Sequence, residues 1–177
     1  IMPILNNYKD EVTNNMIAKY QYILRSEVET SNSNAEKYAV ESLKISSSNV
    51  DSSEDISIYG VQENSKYINL NLSNKDVCIS DGFADKYSLK VGDSVTLKER
   101  YGTKKYKLKV TKIYHYPSSI AAFINIDYFN DIFDNKDNYF NGYFSNKKIT
   151  DINKNMILTT ITKSELTKVS RQLENSM

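Results

Sequence analysis

The chain has no tryptophan, one cysteine, one histidine, two prolines and five glycines among its 177 residues. Each shortage excludes a class of chemistry. A lone cysteine permits no disulfide framework, and with a lone histidine it leaves no ligand set for a zinc site and no histidine-based triad. The five glycines form neither G-x-G-x-x-G nor G-x-x-x-x-G-K, so phosphate-cradling loops are missing. Charge of one sign is missing too. Twenty-three basic side chains stand against 22 acidic ones, a net +1 that gives no footprint for nucleic acid. No apolar run reaches the roughly 18–20 residues of a membrane span. The start, Ile1-Met2-Pro3, lacks the charged and apolar regions of a signal peptide. The expectation is that both ends continue into a longer polypeptide. With 40% hydrophobic and 25% charged residues, what remains is an ordinary globular chain. It is expected to be neither an enzyme nor a cofactor carrier.

What is present is mostly strand. Pro3 to Met16 reads as a helix, with Tyr8, Val12 and Met16 on one face. From Ala18 to Arg25 the period drops to two, as Tyr20, Tyr22 and Leu24 alternate with Lys19, Gln21 and Arg25. Thr30–Ala35 and Ser46–Asp55 are polar loops, and Lys37–Ile45 is β-like. Ile56–Val61 is a short strand expected to close at Gly60. Val77-Cys78-Ile79 reads as a buried strand, and its cysteine as a structural thiol. Ser80 or Asp81 can cap a helix from Gly82 to Tyr87. Leu89–Asp93 is a turn, with Gly92 free to take a positive φ. Ser94–Arg100 and Lys104–Tyr116 form a hairpin across Tyr101-Gly102-Thr103. Lys105, Lys107 and Lys109 mark its wet face, and a phase slip after Thr111 predicts a bulge near Lys112. Ile120–Ile126, Asn138–Ser145 and Met156–Ile161 are further strands, with a short helix over Tyr128–Phe133. Thr162 and Glu165 form a capping box that opens a last helix.

No group of side chains announces chemistry. Asp127, Asp131, Asp134 and Asp137 fail the calcium-loop pattern, because Lys136 and Tyr139 fall where a ligand and the glycine belong. They read as a solvated, helix-capping loop. His115 reads as a strand-end residue rather than a base. The 14 tyrosines and six phenylalanines are expected mainly in the core. Tyr139, Phe140, Tyr143 and Phe144 nevertheless include both faces of one strand, which leaves an aromatic pair as a candidate contact surface.

From Val77 to Tyr116 the order of motifs is distinctive: Ile79-Ser80-Asp81-Gly82-Phe83-Ala84, then Leu89-Lys90-Val91-Gly92-Asp93-Ser94-Val95-Thr96-Leu97, then Tyr106 to Tyr114. It resembles the extracytoplasmic domains of FtsX-like permeases of ABC transporters, the group that includes the MacB-like periplasmic core domain. Ala18–Leu24 and Ile56–Ile68 look like the first half of such ectodomains in Gram-positive bacteria. The matching residues are packing and turn residues. They imply fold and membership, not a substrate.

The resemblance implies an α+β fold with two lobes. Residues 17–74 and 117–161 would form a discontinuous α/β lobe, and residues 75–116 an inserted small β-rich lobe. Residues 1–16 and 162–177 would be stalk helices at the two termini. The chain would lie at the extracellular side of the cell membrane. Its partners would be its own transmembrane helices, a cytoplasmic ATP-binding subunit, and an extracellular peptide, lipid-linked cargo or cell-wall protein. The competing reading is a free-standing, surface-anchored binding or adhesion module. The candidate partner surface is Tyr114, His115 and Tyr116 with Tyr139, Phe140 and Tyr143.

Overall fold

The computed structural model describes residues 18–46, 54–116 and 120–163; the expected helix over Pro3–Met16, and the last helix beyond Lys163, lie outside them. Ten strands and two helices follow in the order β1 (Tyr20–Leu24), β2 (Glu36–Ile45), β3 (Asp55–Val61), β4 (Cys78–Ser80), α1 (Asp81–Lys86), β5 (Ser94–Glu99), β6 (Lys105–Lys109), β7 (Lys112–Tyr114), β8 (Ala121–Asn125), α2 (Ile126–Ile132), β9 (Gly142–Ser145) and β10 (Ile157–Thr162). The class is α+β, as expected. Both helices start on capped residues. Ser80 accepts the Phe83 amide and Asn125 accepts the Asp127 amide, each satisfying an orphan donor of the first turn.

The strands join in one sheet of order β10-β1-β9-β2-β3-β8-β4-β7, with β5 added to β2 and β6 to β5. Only β3–β8 and β4–β7 are parallel. The long strand β2 is where the sheet forks. On one edge it pairs with β3; on the other it pairs first with β9 through Glu36–Tyr38, then with β5 through Leu43–Ile45. Between those two partners the Asn141 side chain stands in for a strand. Its Oδ1 accepts the Val40 amide at 2.8 Å and its Nδ2 donates to the Val40 carbonyl at 2.9 Å.

The expected inserted lobe is not set apart. Residues 75–116 do lie between β3 and β8 in the chain, but β4 pairs with β8 and β5 pairs with β2. Their apolar residues Val77, Ile79, Phe83, Val95, Leu97, Leu108 and Val110 share one buried cluster with Leu43, Ile56, Ile58, Ile124 and Phe129. The reason is size. A two-stranded hairpin with one apolar face cannot cover itself, so it takes its cover from β2 and α2. The boundaries at 74/75 and 116/117 therefore separate no cores.

Three local expectations also change. The segment after Val110 does not bulge within the hairpin; it leaves β6 and pairs with β4 as β7. Thr111 marks the switch, its hydroxyl donating to Asp76 Oδ1 at 3.0 Å and accepting the Val77 amide at 3.0 Å. Gly60 does not end its strand but lies inside β3, where a Cβ would come within 2.7 Å of Phe129 Cβ. And β9 begins only at Gly142, because Asn138 takes φ 64° and breaks the extended run. Gln21, which alternates with Tyr20 and Tyr22 along β1, is buried as well, and its Nε2 donates to the Tyr59 hydroxyl at 3.4 Å.

Aromatic rings fill the second core cluster. Tyr38 stacks on Phe144 with ring centroids 4.1 Å apart, and its hydroxyl donates to the Tyr22 carbonyl at 2.9 Å. Phe123 stacks on Tyr59 at 5.2 Å and receives the edges of Tyr114 and Tyr116.

Candidate functional site

The six aromatic and histidine candidates fall in two places. Tyr114, His115 and Tyr116 follow one another at β7, the last strand of the sheet order, while Tyr139, Phe140 and Tyr143 lie on and before β9. Five strand spacings separate β7 from β9, about 24 Å at ~4.8 Å each. They do not form one surface. Phe140 and Tyr143 are buried in the third core cluster, where the Tyr143 hydroxyl donates to the Val28 carbonyl at 2.6 Å. Tyr139 is half-buried against the main cluster. Tyr114 and Tyr116 stack on each other and lean on Phe123, which makes them half-buried core rings too. Of the six only His115 is exposed, with its Nδ1 on the Asp81 carboxylate. Core completion accounts for most of the proposed patch.

The four aspartates divide as well. Asp127, Asp131 and Asp137 line a hollow of about 290 Å³ with Asn130 and Asn138, while Asp134 is paired with Lys104 at 2.8 Å. Among the described residues no group of three or more His, Cys, Asp or Glu is placed to hold a metal ion. Cys78 is fully buried, and that burial pushes its thiol up to about 12.

A larger concavity lies at the fork of β2. The gap between β9 and β5 opens a cleft of about 750 Å³, whose walls include Glu41, Glu99, Tyr101, Tyr106, Phe133 and Leu158. Glu41 is the unexpected member. Alternation along β2 puts Ala39, Glu41, Leu43 and Ile45 on one face, and the other three are buried in the main cluster. Glu41 thus holds a carboxylate between the apolar residues Ala39 and Leu43, open to solvent through the cleft. Burial raises its pKa above the ordinary glutamate range, and repulsion from Glu99 raises it further. Glu99 folds back over the hairpin tip, so close to Gly102 that a Cβ there would meet its carboxylate. Periodicity over Glu36–Ile45 could have flagged Glu41, since it is the one charge set between the apolar residues Ala39, Leu43 and Ile45 of their face, Lys37 standing at its end.

A consequence for stability follows. Because the folded state holds the Glu41 proton more tightly than the unfolded chain, folding is favoured at low pH. That advantage is lost as pH rises through the raised folded value. Glu41→Gln is therefore expected to raise the melting temperature at pH 7, with the gain shrinking towards pH 4. Thermal melts of both forms across that range check it.

The two ends of the described fold leave from one point. Tyr20 pairs with Thr162 in the β1–β10 ladder, and the Lys163 amide donates to the Lys19 carbonyl at 3.0 Å. The chain thus enters and exits side by side, antiparallel, at one corner of the sheet.

No protein-family model matches the sequence, and no curated protein matches it. Among solved structures, the fold is similar to that of the periplasmic region of MacB from Actinobacillus actinomycetemcomitans. The TM-score is 0.50 at 10% sequence identity, covering 93% of this chain and 96% of that one. At that identity the likeness is one of fold. The expected MacB-like α+β fold is borne out on that basis.

Proposed function

We propose that the chain is the extracytoplasmic domain of an ABC-transporter permease. There it would couple movement of transmembrane helices, driven by a cytoplasmic ATP-binding subunit, to recognition of an extracellular substrate or partner. Its work is mechanical and recognitive rather than catalytic. The observation that carries this reading is the side-by-side exit at Lys19 and Lys163. A domain inserted between two transmembrane helices must return its chain to the membrane where it left. A hydrogen-bonded antiparallel pair at that corner also passes a pull on either end straight into β1, which is paired on both sides within the sheet. The likeness to a periplasmic region supports the same placement. In this reading the domain faces the outside of a Gram-positive cell membrane.

The placement has a direct test. Tyr101, at the hairpin tip, is 93% exposed, whereas Cys78 is fully buried. The native thiol should therefore stay silent towards maleimides, and Tyr101→Cys adds an exposed reactive site whose labelling is read against the unsubstituted parent. In intact cells carrying the parent protein, a membrane-impermeant maleimide is expected to label Tyr101→Cys fully. Labelling only after permeabilisation would place the domain inside and refute the reading.

A further inference from the structure

We infer that the cleft at the fork of β2 docks a lysine or arginine side chain presented, with apolar neighbours, by a partner polypeptide. The first ground is charge. Glu41 and Glu99 both line the cleft, and among the described residues neither is in ion-pair contact with a basic side chain, Lys104 acting on Glu99 only at longer range. The nearest cations, Lys104 and the cleft-lining Arg100, are paired with other acids. Lys104 Nζ is 2.8 Å from Asp134 Oδ2 and sits over the Tyr106 ring, and Arg100 Nε is 3.4 Å from Asp55 Oδ1. The cleft therefore presents two carboxylates without ion-pair partners beside one guanidinium already paired with Asp55, and a cation is the complement.

The second ground is the shape and chemistry of the walls. Glu41 stands on the face that buries Ala39, Leu43 and Ile45, so apolar residues flank it while it remains open to an incoming group. Repulsion between the two acids is relieved by a positive charge placed between them. Tyr106 and Phe133 lie with ring centroids 4.9 Å apart beside these acids, a surface that suits the methylene stem of a lysine or the plane of a guanidinium. At the mouth, Tyr101 and Leu158 are exposed at 93% and 53%, which offers apolar contact to residues flanking the basic one. A polypeptide supplies that combination; a bare metal ion does not, since two acids with aromatic walls fall short of an oxygen cage.

The inference does not rest on the permease reading, and its test needs only the 177-residue chain. The probe is an acetylated, amidated pentapeptide alternating leucine with lysine and arginine, titrated into isotope-labelled chain and followed by amide NMR shifts. Expected are shifts confined to residues 40–43, 99–102 and 158. Affinity should fall at least tenfold in the Glu41→Gln, Glu99→Gln double variant, and at least tenfold for the same peptide with glutamine at both basic positions. Asp127→Asn with Asp131→Asn should leave affinity unchanged. Tyr101→Ala, which alters only an exposed ring, should weaken binding about threefold, and so keeps the test valid if the double variant folds poorly. Absence of binding at millimolar peptide, equal binding of the glutamine peptide, shifts centred on residues 127–138, or unchanged affinity in the cleft variants would each overturn it. A Glu41→Gln chain that melts higher yet binds more weakly separates docking from a structural role for that acid.

Discussion

Gly142→Ala is expected to destabilise the fold by about 3 kcal/mol, the upper end of what overpacking costs. A Cβ at Gly142 would stand 2.4 Å from Cε1 and Cζ of Tyr38 and 2.7 Å from the Tyr22 carbonyl oxygen. None of these atoms can give way cheaply. The Tyr38 ring is fully buried, stacked on Phe144 and held by its own hydrogen bond to that same carbonyl. The Tyr22 oxygen belongs to β1, which is paired on both sides. Gly142 is therefore the point where the Tyr38 ring is allowed to lie over the β9 backbone. Gly102→Ala provides the contrast. There the conflicting atom is the far end of Glu99, a flexible side chain that can swing out, so the expected cost is below about 0.5 kcal/mol. Urea denaturation of both variants measures the difference. Equal midpoints would show that β9 packs against β2 in another way.

Phe123→Ala is expected to cost about 3–5 kcal/mol, the range for emptying a buried phenylalanine site. Phe123 is 1% exposed and touches three rings at once. Tyr59 lies in the central strand β3, whereas Tyr114 and Tyr116 lie on and just beyond the outermost strand β7. The ring thus ties the edge of the sheet to its middle. Strand β7 has three residues and only β4 as a neighbour, so it depends on that anchor. The variant should lose stability overall, and hydrogen exchange at Lys112–Tyr114 should speed up more than exchange in β1. Phe123→Leu, which keeps most of the volume, should cost about 1 kcal/mol.

The elements themselves were readable because their signals are local. Alternation at Tyr20, Tyr22 and Leu24 marked β1; the apolar run at 120–124 marked β8; Ser80 capped the helix it was expected to cap. Gly92 takes φ 98° in the turn assigned to it. Apart from the start of β9, set locally by Asn138, the misplaced features depend on partners distant in the chain. Gly60 looked like a terminator, yet its role is set by Phe129 on a helix 69 residues later. Thr111 looked like the start of a bulge, because nothing near it says that β4 is waiting as a parallel neighbour. The insertion between β3 and β8 was visible, but not its fusion to β2, since pairing order is set by which faces remain to be covered.

The rings of the candidate surface are divided between core and surface for a related reason. Aromatic residues serve both cores and interfaces, and composition cannot separate the two uses. Phe140 and Tyr143 went inside because the loop over residues 146–156 closes on them through Ile149 and Ile152. The cleft, in contrast, was encoded by a single mismatch. Glu41 interrupts an apolar face, and it carries meaning only once β9 and β5 are seen to part on either side of it.

The central claim is that both ends of this domain run into one membrane. The most direct measurement is the sequence of the parent polypeptide on both sides of residues 1–177. The account predicts an apolar stretch of about 20 residues beyond each end, with lysine and arginine enriched on the far, cytoplasmic flank of each. A cleavable secretion signal on one side and a wall-anchoring sequence on the other, with no such stretch, would contradict it and make the chain a free-standing surface module.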